Sequence, residues 1–323
     1  MADTRVNRFC IVGLGGHALT KLIPAIEANG QQVVGLVSLR PAETFPGRTV
    51  FARLEAAIDA LPADTAFVVA SPPRAHFAQA TTVLMAGRDL ILEKPAFVTE
   101  AEAETIASLC RGGEAVFVEA FMHRHTGLHA RAVDAWSASR GRIRAIAMDF
   151  LIPQMPGGTF RQRPEIDASS LYDMGCYPLS LLADLDLPLD GLALEAVDFA
   201  GDPFREQVRL SGEADGIRIT LRIGVADSYS NRLVLGMADG ATIGFEPFFY
   251  GRPGDRVIAS TRAGQNAPET ITEGNAFEAM FARPREAWLA DQDLRLGRMI
   301  RVTRALERLG RGLAAARISD ETS

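Results

Sequence analysis

Along the first 120 or so residues the apolar positions come in short, nearly unbroken runs. They are RFCIVG (8–13), QVVGLVS (32–38), TAFVVAS (65–71), DLILE (89–93) and EAVFV (114–118). Runs without alternation suit strands buried on both faces. Helical patterns lie between them. In TEAEAETIASLC (99–110), Thr99 and Glu102 form a capping box, and Ala103, Ile106, Ala107 and Cys110 follow at helical spacing. This rhythm predicts a parallel sheet covered on both sides. RPAETFPGRTV (40–50) has two prolines and a glycine, so a loop or minimal turn is expected there.

The rhythm changes after residue 121. Residues 126–138 read as a helix, 143–152 as a strand, and PQMPGGTFRQRPE (153–165) as a loop. SSLYDMGCYPLSLL (169–182) then reads as an apolar helix carrying Asp173, Cys176 and Tyr177. Pro178 removes a backbone donor, which predicts a distortion just after the tyrosine and a Met174 carbonyl without its usual partner. From 191 to 247 the pattern is strands, with IRITLRI (217–223) alternating strictly and Asp215-Gly216 and Asp239-Gly240 placed as hairpin turns. Two helical segments follow, near 275–290 and 294–316, and ISDETS reads as a frayed tail. The expectation is an α/β chain of two domains. Residues 1–121 would form the parallel-sheet domain, and 122–323 an α+β domain with an open, mainly antiparallel sheet.

Composition narrows the function. The 323 residues are 47% hydrophobic and 23% charged, with net charge −6, so nothing draws the chain to nucleic acid or an anionic membrane. No run of 18 apolar residues occurs and MADTRVNRFC has no signal-peptide core; with 3 scattered cysteines, a cytoplasmic location is expected. Cys176 reads as a small buried hydrophobe.

The first strand runs into Gly13-Leu14-Gly15-Gly16-His17-Ala18 and a helix. This G-x-G-x-x-A placement marks a Rossmann-type dinucleotide site. Gly13 would permit the turn, Gly15 and Gly16 would admit the pyrophosphate, and His17 adjoins them. An NAD-preferring site wants an acid after the second strand. Here Ser38-Leu39-Arg40 stands instead, and Arg40 suits a 2′-phosphate, so NADP(H) is favoured over NAD(H).

The segment 70–103 goes further. Ser71-Pro72-Pro73, His76, Ala86-Gly87-Arg88 and Glu93-Lys94-Pro95, followed by AFMHRH (120–125) and LYDMGCY (171–177), resemble the ordered motifs of the Gfo/Idh/MocA oxidoreductases. The likeness runs from residue 11 to about 180, and the last third fits only in outline. The family's usual glycines are replaced by Ala168-Ser169-Ser170.

The resemblance implies that Ser71, Pro72, His76 and Glu93 line the cofactor and that the active site lies between the domains. It further implies that Lys94, Asp173 and Tyr177 are catalytic. Tyrosine replaces the histidine of many members, which favours a sugar, keto-sugar (nucleotide-linked ones included) or polyol-like substrate.

Hydride transfer to a carbonyl needs a proton donor. A phenol with an ordinary pKa near ~10 is protonated at neutral pH, and a neighbouring ammonium would polarise the substrate oxygen. Taken singly, Lys94 reads more readily as a solvated strand end, Tyr177 as a core aromatic and Asp173 as a helix cap. The resemblance places the stretch with His123 and Arg124 at the domain junction, which makes them candidate substrate contacts, as are Arg161 and Arg163 in the loop. His123, His125 and His129 find no carboxylate nearby in sequence, so no metal is expected. Two alternatives remain: a non-catalytic dinucleotide and sugar sensor, and a dihydrodiol or imine reductase on the same scaffold. The solvated sheet face, with Arg218, Thr220 and Arg222, is a candidate surface for a homodimer or homotetramer.

Overall fold

The computed structural model describes residues 6–154, 165–199, 205–262 and 265–321. The chain divides into two compact units, Met1–Phe121 with Phe277–Thr303, and Met122–Ala276 with Arg304–Ser323. Segment 277–303 thus belongs with the first unit, which a single division after residue 121 did not anticipate.

The first unit holds six parallel strands, β1 (Arg8–Val12), β2 (Gln32–Val37), β3 (Val50–Phe51), β4 (Thr65–Val69), β5 (Leu90–Leu92) and β6 (Phe117–Glu119). Their spatial order is β3-β2-β1-β4-β5-β6, so the order in which successive strands are added reverses between β1 and β4 while all run parallel. Helices α1 (Ile23–Ala28), α2 (Leu54–Ala60), α3 (His76–Met85) and α4 (Glu100–Arg111) form the crossovers. The capping box at α4 is present on both sides, Thr99 to the Glu102 backbone and Glu102 back to Thr99. Residues 40–50 hold one short 3₁₀ turn, Ala42–Thr44, as their prolines require. Every residue of β4 is buried, and Phe67, Val69, Leu90, Leu92, Ile106 and Cys110 share one core. Each such side chain contributes about 1.5–3 kcal/mol by leaving water. Burial pushes the Cys10 and Cys110 thiols up to about 12, so neither is a nucleophile at neutral pH.

The second unit opens with α5 (Gly127–Ser139) and β7 (Ile143–Ile152), followed by α6 (Cys176–Asp184). Next come β8 (Leu192–Asp198), β9 (Gln207–Ala214), β10 (Ile217–Val225), β11 (Ser230–Met237) and β12 (Thr242–Glu246). Two more strands, β13 (Gly254–Arg262) and β14 (Gln265–Glu273), complete an eight-stranded sheet ordered β14-β13-β12-β11-β7-β10-β9-β8. The β7–β10 pair is parallel and the others are antiparallel. On β10 the alternation is as expected: Ile217, Ile219, Leu221 and Ile223 are buried, while Arg218 and Arg222 are exposed. Asp215 (φ 52°) and Gly216 (φ 73°) make the β9–β10 hairpin in the left-handed region that Asp-Gly tolerates.

The last third departs from the pattern reading. β13 and β14 are polar strands that periodicity did not flag. The expected helix over 275–290 is two, α7 (Ala276–Phe281) and α8 (Arg285–Ala290), because the extended backbone of Pro284, the N-cap of α8, interrupts it. The final helix α9 spans Gln292–Glu321, so most of the expected frayed tail is helical. Met299, Val302, Leu306 and Leu309 on it are all buried, in line with a packed face. Among the described residues no helix is long and apolar enough to cross a membrane.

Candidate functional site

In the first unit the expected cofactor residues stand at the carboxyl ends of neighbouring parallel strands, where open α/β sheets bind ligands. Gly13 follows β1 with φ +87°, and a Cβ there would lie 2.7 Å from the Ser71 backbone nitrogen, so conformation and space both demand glycine. Around the Cβ positions of Gly15 and Gly16, by contrast, no described atom lies within 4 Å. The backbone is open there, as the close approach of a pyrophosphate would require. After β2, Ser38 accepts the Arg40 backbone N–H at 3.0 Å, and the Arg40 guanidinium donates to the Leu14 carbonyl of the glycine loop. The cation therefore stands beside the cradle.

The ends of β4 and β5 are tied together by histidine. His76 is 1% exposed; its Nε2 lies 2.8 Å from the Ser71 carbonyl and its Nδ1 3.1 Å from both the Pro95 and Ala96 carbonyls. Burial lowers its pKa. Its ring is committed to backbone, so it shapes the loop around Lys94 instead of offering itself to a ligand. Pro72 and Pro73 start the 3₁₀ turn before α3, and the Ser71 hydroxyl donates to Gln79. His17 Nε2 meets Glu93 Oε1 at 2.9 Å, and Glu93 Oε2 accepts the Lys94 backbone N–H at 3.2 Å. Burial alone would raise the Glu93 carboxyl, but the charge and hydrogen bond of His17, then Lys94, hold it below the ordinary carboxylate value. Lys94 itself is half-buried and precedes a cis proline.

In the second unit the stretch around Tyr177 is helical but begins as a π turn, Leu171–Gly175, which passes into α6. The irregular turn thus precedes the tyrosine, where the proline argument had put it after. Pro178 falls in the first turn of α6, where no donor is needed, and the Met174 carbonyl accepts the Cys176 N–H instead. The misfit is absorbed upstream as a π bulge. Ser169 Oγ accepts the Tyr172 N–H at 3.4 Å, and the Ser170 N–H donates to Glu206 at 2.8 Å. These serines, which stand where the resembled family usually has glycines, anchor the start of the segment. Gly175 lies against β10; a Cβ there would stand 3.2 Å from Ile223 Cδ1.

Tyr177 is 8% exposed and Asp173 3%. The tyrosine ring sits in an aromatic box, edge-on to Phe150 at 5.3 Å and tilted against His123 at 5.4 Å and Phe249 at 5.9 Å. Asn231, fully buried, builds the far wall: its Oδ1 accepts the N–H groups of Phe248 (3.1 Å) and Phe249 (2.7 Å), and its Nδ2 donates to the Phe249 carbonyl. Sequence reasoning missed Phe150, Asn231, Phe248 and Phe249. The signal available was the Phe-Phe pair after Pro247, but only strand pairing brings it to Tyr177.

His123 is buried among these rings, with Nε2 3.5 Å from the Ser180 hydroxyl, so it supports the wall and is not a surface contact. Burial first, then the charges of His129 and Arg124, push its pKa well below the ordinary imidazole value. Arg124 Nε donates to Asp184 Oδ2 at 2.8 Å, and His129 Nε2 meets the same oxygen at 3.3 Å. Asp184 is thus the carboxylate that sequence spacing did not reveal, and His123, His129 and Asp184 bring ligand-type atoms within 4.8 Å of one another. The Arg124 guanidinium already occupies that carboxylate, so an added cation would meet its charge; the group is better described as a buried ion-pair network. Arg161 and Arg163 lie outside the described residues.

Residues 7–153 match the model of an oxidoreductase family with an NAD-binding Rossmann fold, Gfo/Idh/MocA. The match covers the Rossmann region, just under half of the chain. A dTDP-3,4-didehydro-2,6-dideoxy-alpha-D-glucose 3-reductase from Streptomyces antibioticus is 29% identical over 53% of this chain and 54% of its own length. Its counterpart from Actinomadura kijaniata is 27% identical over 71% of this chain and 72% of its own. The chain therefore aligns with only about half of the Streptomyces antibioticus relative. Solved structures share the fold over most of the chain. A 3-ketoreductase from Actinomadura kijaniata, in complex with NADP and TDP-benzene, superposes with TM-score 0.77 at 21% identity, covering 94% of this chain and 96% of that one. An aldose-aldose oxidoreductase from Caulobacter crescentus gives 0.78 at 20% identity over 94% and 97%.

Proposed function

We propose that this protein is an NADP(H)-dependent reductase acting on the keto group of a sugar, most specifically one linked to a nucleotide. The observation that carries the reading is the open cradle at Gly15 and Gly16 with Arg40 held beside it, within a family-matched Rossmann unit. The relatives' reactions supply the substrate class, since keto-sugar 3-reductases recur among them.

Gly15 and Gly16 would take the pyrophosphate and Arg40 the 2′-phosphate. When bound, the dinucleotide supplies the hydride. Tyr177 gives its phenolic proton to the substrate oxygen, and the Lys94 ammonium polarises that oxygen as charge develops. Asp173 holds a substrate hydroxyl or orients those two groups. The box of Phe150, His123 and Phe249 fixes the ring, so little orientation is lost at each turnover. We further propose that the protein works in the cytoplasm and associates with itself through the exposed face bearing Arg218, Thr220 and Arg222.

The test is NADPH oxidation, followed at the reduced-nicotinamide absorbance band, with a panel of nucleotide-linked keto-sugars, free sugars and diols. Turnover with the nucleotide-linked compounds, at least about a hundredfold slower in Tyr177→Phe, is expected. Tight NADPH binding with no turnover on any compound would replace this reading with the sensor one.

A further inference from the structure

The turn bearing Lys94 is held from both sides by imidazoles. From the β4 end, His76 reaches the Pro95 and Ala96 carbonyls. From the glycine loop, His17 reaches the Glu93 carboxylate, whose other oxygen holds the Lys94 backbone N–H. The two contacts differ in kind. His76 is buried at 1% exposure and bonds only backbone, which any fold-supporting histidine does. The His17 side chain is 45% exposed, and it follows directly on the two glycines whose Cβ positions face open space. It spans a gap in the sheet as well, since β1 and β5 are separated by β4.

We infer that His17 and Glu93 form a positioning pair that couples the glycine loop to the placement of Lys94. The inference rests on the reading of Lys94 as the group that polarises the substrate oxygen, and it assigns both residues a task other than lining the cofactor. The chain of contacts is short. Nε2 of His17 holds one carboxylate oxygen, and the other fixes the peptide N–H of Lys94, the residue after it in sequence. A shift of the glycine loop therefore carries the carboxylate, and the carboxylate carries the lysine backbone. Glu93 is nearly buried, with its side chain 11% exposed, so losing His17 leaves a carboxylate short of a partner in a low dielectric. It would then swing towards solvent or draw the neighbouring ammonium away from the substrate. Phe277, edge-on to the His17 ring at 5.5 Å, limits the rotamers through which the imidazole could compensate.

The pair is testable with His17→Ala, His17→Gln, Glu93→Gln and the double variant His17→Ala/Glu93→Gln, each as full-length protein. The readouts are NADPH affinity by nicotinamide fluorescence without substrate, thermal midpoint without cofactor, and kcat and KM at saturating NADPH. We expect His17→Ala to lower kcat about tenfold at saturating NADPH, because a displaced catalytic group is not recovered by filling the cofactor site. His17→Gln, which keeps an N–H donor, should recover most of that loss. The double variant should lose no more than the worse single variant, since both act through one contact. A change confined to NADPH affinity with kcat unchanged would overturn the inference and leave His17 as a plain cofactor contact. So would additive losses in the double variant, or a Gln variant as impaired as Ala. Wild-type protein that turns over no keto-sugar would instead overturn the functional reading, a separate outcome.

Discussion

His17–Glu93 and His129–Asp184 are both imidazole–carboxylate pairs, but they sit in different surroundings. In the first, the histidine side chain is 45% exposed and the carboxylate 11%. In the second the figures are 13% and 4%, and Arg124 shares the same carboxylate oxygen at 2.8 Å. In the first pair only the imidazole is half-exposed, so water weakens the attraction from that side, and the proposed value of the pair lies in the geometry it would impose on Lys94. A buried network is strong only when intact. Its charges have paid their desolvation, and removing one member strands the rest. One arrangement is thus suited to adjusting a turn at a ligand site, the other to holding α6 and its tyrosine still.

That division predicts that chemistry and stability can be broken separately. Tyr177→Phe should cut kcat between about a hundredfold and ten-thousandfold, the range for losing a general acid, while the ring contacts keep the unfolding midpoint near wild type. Steady-state kinetics beside urea unfolding would show the split; a large stability loss without a kinetic one would make Tyr177 a core aromatic. Asp184→Asn should do the converse and cost about 3 kcal/mol in urea unfolding, by leaving Arg124 and His129 without their carboxylate. A loss under about 1 kcal/mol would mean the network is no more than a surface-type pair.

Smaller effects sharpen the comparison. Arg40→Ala should reduce preference for NADPH over NADH about tenfold, from the loss of a charge-assisted contact to the 2′-phosphate, as measured by the two cofactor affinities. Equal weakening towards both cofactors would place Arg40 in loop support only. Acidification should lower stability in two stages. His76 and His123 have folded pKa values below their unfolded ones, so below about pH 6.5 the unfolded chain binds protons that the fold resists. Each costs at most about 1.4 kcal/mol per pH unit there. Glu93 and Asp184 have depressed folded pKa values, so their contribution is present above about pH 4 and is lost as pH falls further. Urea midpoints at pH 7, 5.5 and 3.5 would resolve the stages, and His123→Asn should flatten the first.

The Rossmann unit was the more legible half. Strands β1, β4 and β5 are almost wholly buried, so their apolar runs are unbroken, and the turns carry glycines and capping residues with local causes; the two-residue β3, only partly buried, was not legible. The Asp215-Gly216 hairpin and the alternation in β10 were legible for the same reason. β14 was not: it is an edge strand exposed along most of its length, with Pro268 in it, and backbone pairing to β13 defines it more than any apolar pattern does. The π turn at Leu171–Gly175 was misplaced because a proline shows where a donor is missing, not where the helix will yield.

By itself the sequence determined the order of elements, the glycine cradle, the Ser38-Leu39-Arg40 bias and the ordered motifs through Glu93-Lys94-Pro95 to Tyr177. These depend on residues close together in the chain, whose spacing translates directly into a helix face or a turn. The tertiary structure decided which of them meet. It buried His76 and His123, joined Asp184 to a histidine 55 positions away, and set His17 against Glu93 across 76. Burial and charge pairing are properties of neighbours in space, and strand order, which no local pattern encodes, chooses those neighbours.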